Sequence, residues 1–162
     1  MRYISVLGII TAAFVLCSFA TAAAPPEPAL NAGEEKTAGT IGGTVFLDAD
    51  ADGVQGAGEW GMSGIVVHLK STAGERIATA ETFSHACEGL YLFSGVLPGN
   101  YTVEVILPDG YAFTATGNGS PGATASTVDA ASGTTTPINL TEEVIRETDL
   151  VVRDAGLVAA GP

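Results

Sequence analysis

The chain is poor in positive charge. Of 162 residues only 6 are Lys or Arg, against 18 Asp and Glu, a formal net charge of −12. Such a surface has nothing to neutralise phosphates, which excludes nucleic acid as a natural partner and disfavours an anionic membrane. Cysteine is scarce, with 2 in all, which excludes a disulfide-rich scaffold. Histidine is equally scarce, limited to His68 and His85, and no serine stands in a nucleophile-elbow context. The chain is therefore expected not to be an enzyme. No segment shows a sustained helical period with caps, and no internal repeat is visible. What is present is 46% hydrophobic residues and 21 glycines. That is enough for one domain with a real core, and too apolar for disorder throughout.

The N-terminus reads as a targeting segment. Arg2 precedes the apolar run ISVLGIITAAFVLCSF, and small residues follow at Ala20-Thr21-Ala22-Ala23-Ala24. A positive start, an apolar centre and an A-x-A site make residues 1–23 a secretory signal peptide, with cleavage after Ala22 or Ala23. The expected location is extracellular or at the cell surface, with no membrane span after cleavage. Cleavage leaves Cys87 as the one cysteine, in an oxidising compartment and without an internal partner. It either packs as a small hydrophobe or, if exposed, offers an intermolecular disulfide dimer. Residues 24–39, APPEPALNAGEEKTAG, are rich in Pro, Ala, Gly and Glu and read as a flexible linker.

From Thr40 the pattern changes to strand spacing. TIGGTVFL places Ile41, Gly43, Val45 and Leu47 on one face, and GIVVHLK places Ile65, Val67 and Leu69 inward with His68 and Lys70 outward. ERIATAETF, LYLF, NYTVEVIL and TDLVVRD are further strands, separated by the turn segments CEG, LPGN, PDGY, GNGSPG and ASG. Residues 114–136, small and Thr-rich, read as long loops flanking a weak strand. Many short strands with Gly- and Pro-marked turns predict an all-β sandwich of about seven strands.

The most informative stretch lies between the first two strands: DADADGVQGAGEW. Asp48, Asp50 and Asp52 alternate, Gly53 follows, and Glu59 comes eleven residues after Asp48. Acids at loop positions 1, 3, 5 and 12 with Gly at 6 are the spacing of the twelve-residue calcium loop. Alternate residues of a tight turn aim their carboxylates at one centre. Gly53 permits the bend, Val54 can offer its backbone carbonyl, and Glu59 can close the shell with two oxygens. No Lys or Arg lies between Lys36 and Lys70 to balance these acids. A bound Ca2+ would remove their mutual repulsion. Many oxygens in a flexible geometry favour calcium over magnesium. The alternative is a solvated acidic hairpin loop. Both flanks read as strands, so an ion here fixes a loop rather than switching a helix pair.

These residues resemble the B-type repeat domain of the serine–aspartate-repeat surface adhesins, a relative of the collagen-adhesin B domain. The resemblance begins at GTVFLDADADGVQGAGEWGMSGIVVHL. It continues through EGLYLFSGVLPGNYTVEVILPDGY, which matches the G-x-Y-x-F…PG-x-Y-x-V…P-x-G-Y signature, and ends with TPINL and TDLVVRDAGL. It spans residues 40–158, leaving 159–162 as a tail. It implies a prealbumin-like, immunoglobulin-like β-sandwich stabilised by calcium and used as a rod or spacer in cell-surface proteins. It also places Asp48, Asp50, Asp52 and Glu59 on the family's calcium positions, with Val54 contributing its carbonyl. There are departures. Ser84-His85-Ala86-Cys87-Glu88 lacks the Asp that often precedes G-x-Y, and Ser126-Thr127-Val128-Asp129 keeps one acid of a D-x-D run. TIGGTVFL has no Lys and TDLVVRD no Asn, so the Lys–Asn crosslink of related domains is not expected here.

Two function classes remain. One is a non-catalytic structural or adhesion module. The other is a module that binds an extracellular protein or polysaccharide through the loops at 83–89, 94–100 and 114–124. Tyr91 and Tyr101 are expected to pack in the sandwich and Trp60 to cover the acidic loop. His85 and Cys87 share a turn but are too few for a metal site. The sequons at Asn100, Asn118 and Asn139 matter only in a host that glycosylates them. GLVAAGP carries neither a sorting motif nor an apolar tail, so the protein is expected to be released, to be held non-covalently or to join a larger assembly.

Overall fold

The computed structural model describes residues 37–84, 88–117 and 124–161. The signal peptide, most of the linker, His85, Cys87 and Asn118 lie outside the described residues. Among these described residues, nine strands and one short helix follow in the order β1 (Gly39–Leu47), β2 (Val66–Ser71), β3 (Arg76–Glu81), β4 (Leu90–Val96), β5 (Gly99–Val105), β6 (Tyr111–Phe113), β7 (Ile138–Leu140), α1 (Glu142–Glu147), β8 (Val151–Val152) and β9 (Ala155–Ala159). One sheet runs β4-β1-β9-β6 with β8 also on β1, and the other runs β3-β2-β5-β7. The fold is an all-β sandwich. The excess over seven comes from β6 and β7, two three-residue strands that the alternation did not mark, and from β9, which follows the two-residue β8 of TDLVVRD after a break, set against the weak strand of 114–136 that does not form.

The core lies between the sheets. Ile41 and Val45 of β1 face Val67 and Leu69 of β2, Tyr91 and Phe93 of β4, Val103 and Val105 of β5, and Leu157 of β9. Tyr91 and Phe93 meet edge to face at 5.8 Å, a favoured aromatic geometry. Tyr91 is fully buried, and its hydroxyl donates to the Arg153 carbonyl.

Three expectations need correction. Leu47 is only half-buried, whereas Phe46, on the opposite face of β1, is fully buried. Phe46 pairs with Gly156, whose missing side chain makes room for the ring. The helix α1 was not expected. Thr141 caps it by accepting from the Val144 N–H, Glu142 and Glu143 sit in its first turn, and Arg146 in its last. Six residues are too few for a helical period to show, and tertiary packing of Ile145 carries it. Third, residues 124–135 form isolated bridges, Val54 with Ala125, Ser126 with Asp154 and Val128 with Thr135, rather than a regular strand.

β8 and β9 both run parallel to β1, in one register. Between them the Arg153 N–H donates to the Gly42 carbonyl, and the Thr44 N–H is taken by Oδ1 of Asp154 at 2.8 Å. A side chain thus substitutes for a backbone acceptor and carries the ladder across the break. Among the described residues no helix is long and apolar enough to cross a membrane.

Candidate metal centre

The acidic loop leaves β1 at Leu47 and returns through Gly61, which bridges to Phe46. Its first residue is anchored: the Asp48 N–H donates to the Leu157 carbonyl at 2.8 Å. Asp48 is 1% exposed. Such a buried carboxylate needs partners, and the turn supplies them. Gly53 N–H donates to Oδ2 at 2.8 Å and Asp52 N–H to Oδ1 at 3.2 Å. Ala51 (φ 62°) and Gly53 (φ 80°) both take the left-handed conformation, which curls the chain around the carboxylate. The Val54 N–H in turn donates to Oδ1 of Asp52 at 2.7 Å.

The result is that Asp48, Asp50 and Asp52 each offer an oxygen within 4.8 Å of the others. Asp50 and Asp52 are exposed and Asp48 forms the floor. Their electrostatics differ accordingly. Burial pushes the Asp48 carboxyl up, but the Thr114 hydroxyl and the N–H groups of Gly53, Ala51 and Asp52 outweigh it and hold the group below the ordinary carboxylate range. At Asp50 the Asp52 N–H favours the charged form. Partial desolvation and the charges of Asp52 and Glu59 overcome it and raise the group above its ordinary value. Three carboxylates at this spacing are repulsive unless a cation or protons intervene.

Glu59 is placed differently from the other predicted ligands. Its Oε1 accepts from the Ala49 N–H and its Oε2 from the Gly56 N–H, both at 2.7 Å. Both oxygens staple the two arms of the loop together, and the carboxylate stands outside the three-Asp cluster. Val54 is held at the loop's far side by its bridge to Ala125, flanked by Gln55 N–H to Thr124 carbonyl and Ser126 N–H to Gly53 carbonyl, both 2.8 Å. Trp60 does not cover the loop: it is 72% exposed.

Sequence reasoning missed Thr114, which follows β6 and bears on Asp48. A lone threonine in a Thr-rich stretch carries no spacing signal. It also missed Asp154, 7% exposed, whose carboxyl is pushed up to about 6 by burial, against the favourable Thr44 N–H and the Arg153 charge.

The donor set suits a hard divalent cation: carboxylate oxygens, one of them buried, on a loop with glycine at its bend. A family model described as the SdrD B-like domain matches residues 39–157. The chain is 40% identical over 80 residues to the serine-aspartate repeat-containing protein F of Staphylococcus epidermidis, a match covering 49% of this chain and 4% of that protein. It is 39% identical over 80 residues to the serine-aspartate repeat-containing protein D of Staphylococcus aureus strain Newman, covering 49% of this chain and 6% of that protein. The matched stretch is thus a small fraction of the length of these relatives. Among solved structures, the minor pilin of Streptococcus agalactiae is similar at 15% identity and a TM-score of 0.47, covering 78% of this chain and 46% of that one.

Proposed function

The chain belongs to the SdrD B-like domain family, and from that premise we propose that it is a secreted, non-catalytic structural and adhesion module of the cell surface or extracellular matrix, stabilised by Ca2+. The observation that carries the calcium reading is the convergence of Asp48, Asp50 and Asp52 within 4.8 Å, built around a carboxylate that the fold has already buried. Asp48, Asp50 and Asp52 would hold the ion, the Val54 carbonyl and Glu59 being the further donors that the loop pattern offers. Glu59 already closes the loop through Ala49 and Gly56, and each of its oxygens keeps a second lone pair for a cation. Extracellular modules work with calcium affinities of about 10⁻⁴–10⁻³ M. The ion supplies charge neutralisation. The chain's own residues supply a fixed turn that ties β1 to the 124–126 segment. Export is supported by the signal-peptide pattern of residues 1–23.

Isothermal titration of calcium into the purified protein tests this. One site per chain is expected, abolished in Asp50→Ala and in Asp52→Ala while both variants stay folded. No heat of binding at millimolar calcium would reduce the loop to a solvated turn.

A second reading, a module binding a polysaccharide or an extracellular protein through its loop face, is favoured by Trp60, a large aromatic 72% exposed beside the loop. Aromatic faces are common anchors at such surfaces. A glycan array on which wild type scores hits and Trp60→Ala does not would support it. An empty array would leave the structural role.

A further inference from the structure

Thr114 is 3% exposed, and among the described residues its Oγ1 meets no partner at full hydrogen-bond geometry. A buried hydroxyl without a partner is costly, and an isolated one asks for an explanation. The surrounding backbone is fixed. Thr114 N–H donates to the Gly156 carbonyl at 3.0 Å, while Asp48 N–H donates to the carbonyl of the next residue, Leu157, at 2.8 Å, from the other side of β9. Thr114 and Asp48 thus flank one strand. Gly156 has no side chain between them: a Cβ there would run into Cγ2 of Thr114. The lean of Thr114 across β9 therefore depends on that glycine.

The Asp48 carboxylate has room for such a donor. At full hydrogen-bond geometry Oδ1 and Oδ2 each accept one backbone N–H, from Asp52 and Gly53, while the Ala51 N–H bears on the carboxylate without such a bond. A carboxylate offers about four lone-pair sites, so two remain, enough for one ion and one hydroxyl. The same end of β6 is pressed onto the loop. A Cβ on Gly53 would lie 2.6 Å from the Ala115 carbonyl oxygen and 2.7 Å from Cα of Gly117. The Gly117 N–H donates to the Ser126 carbonyl at 3.1 Å.

We propose that Thr114 is a positioning residue of the metal centre: its hydroxyl turns to the Asp48 carboxylate when the cation is bound, orienting that ligand and tying the end of β6 to the ion. The inference rests on the calcium reading above and deepens it. A hydroxyl that donates to a ligand carboxylate fixes which oxygen faces the ion. Without the cation the hydroxyl favours the charged form of Asp48 but makes no bond of full geometry to it, and the ion completes that contact.

Calcium titration and thermal unfolding of Thr114→Val and Thr114→Ser test it. The valine variant keeps the shape and removes the hydroxyl; the serine variant keeps the hydroxyl. Thr114→Val is expected to bind calcium at least fivefold more weakly than wild type, Thr114→Ser within twofold of it. In excess chelator Thr114→Val should melt close to the wild-type temperature, since the hydroxyl it removes makes no bond of full geometry there. Thr114→Ala replaces valine if the added methyl disturbs packing, with the same expected loss. Wild-type affinity in the valine and alanine variants would overturn the role of Thr114 alone. So would a loss of affinity matched by an equal loss of stability in chelator, which marks a merely structural residue. A wild-type protein that binds no calcium would overturn the metal reading itself, and this one with it.

Discussion

The backbone N–H of Gly53 donates to Oδ2 of Asp48 across five residues, at 2.8 Å. This bond closes the turn on a carboxylate that is almost completely buried. It forms at the end of a β-strand whose alternation delivers Asp48 to the face it shares with Phe46. The bend that makes it possible needs a positive φ at Gly53.

Gly53→Ala is therefore expected to destabilise the domain by about 2 kcal/mol or more. The left-handed backbone disfavours a side chain, and the new methyl would meet the Ala115 carbonyl oxygen at 2.6 Å. Urea denaturation reads this as a lower midpoint at unchanged slope. An unchanged midpoint would show that the loop and the 115–117 segment are not packed as described.

Asp154 sets a pH dependence of its own. Its carboxyl is raised from 3.8 to about 6 by burial, against the Thr44 N–H and the Arg153 charge. The folded state holds this proton more tightly than the unfolded chain. Stability from this group is thus full below about pH 4 and lost as pH rises through about 6, by at most about 3 kcal/mol. Asp48, held below its ordinary range, works in the opposite sense and in a lower window: its contribution is lost as pH falls. Asp154→Asn keeps an acceptor for Thr44 and removes the buried charge. It should flatten the decline between pH 4 and 7 and melt at or above wild type at pH 7.5. An unaltered pH profile in the variant would contradict the assignment.

Tyr91→Phe removes the hydroxyl that donates to the Arg153 carbonyl. The carbonyl would lose this buried partner at the break between β8 and β9. A loss of about 1–2 kcal/mol is expected in chemical denaturation. A neutral result would mean that water replaces the hydroxyl.

Much of this was legible in the sequence, and the exceptions have physical reasons. Alternation in GIVVHLK placed Val67 and Leu69 in the core because that strand faces water on its other side. The same reading failed at Phe46, since β1 is covered on both faces and period-two logic assumes one. Three of the proposed ligands, Asp48, Asp50 and Asp52, converge as their spacing implies, because a tight turn alone fixes their geometry. Glu59 is placed by hydrogen bonds within the loop, and Thr114 arrives from a distant strand through Gly156. No local pattern encodes such a meeting. The helix Glu142–Glu147 carried its signals in Thr141, Glu142, Glu143 and Arg146, but too few residues to weigh against strand-rich surroundings.

Thermal unfolding of the purified protein in millimolar calcium and in excess chelator, with Asp50→Ala alongside, tests the central claim most directly. Occupancy at a hundred times the dissociation constant adds about 2.7 kcal/mol, a rise of several degrees for a domain of this size. The predicted result is that rise in wild type and none in Asp50→Ala. Equal melting temperatures with and without calcium, in wild type and variant alike, would contradict it.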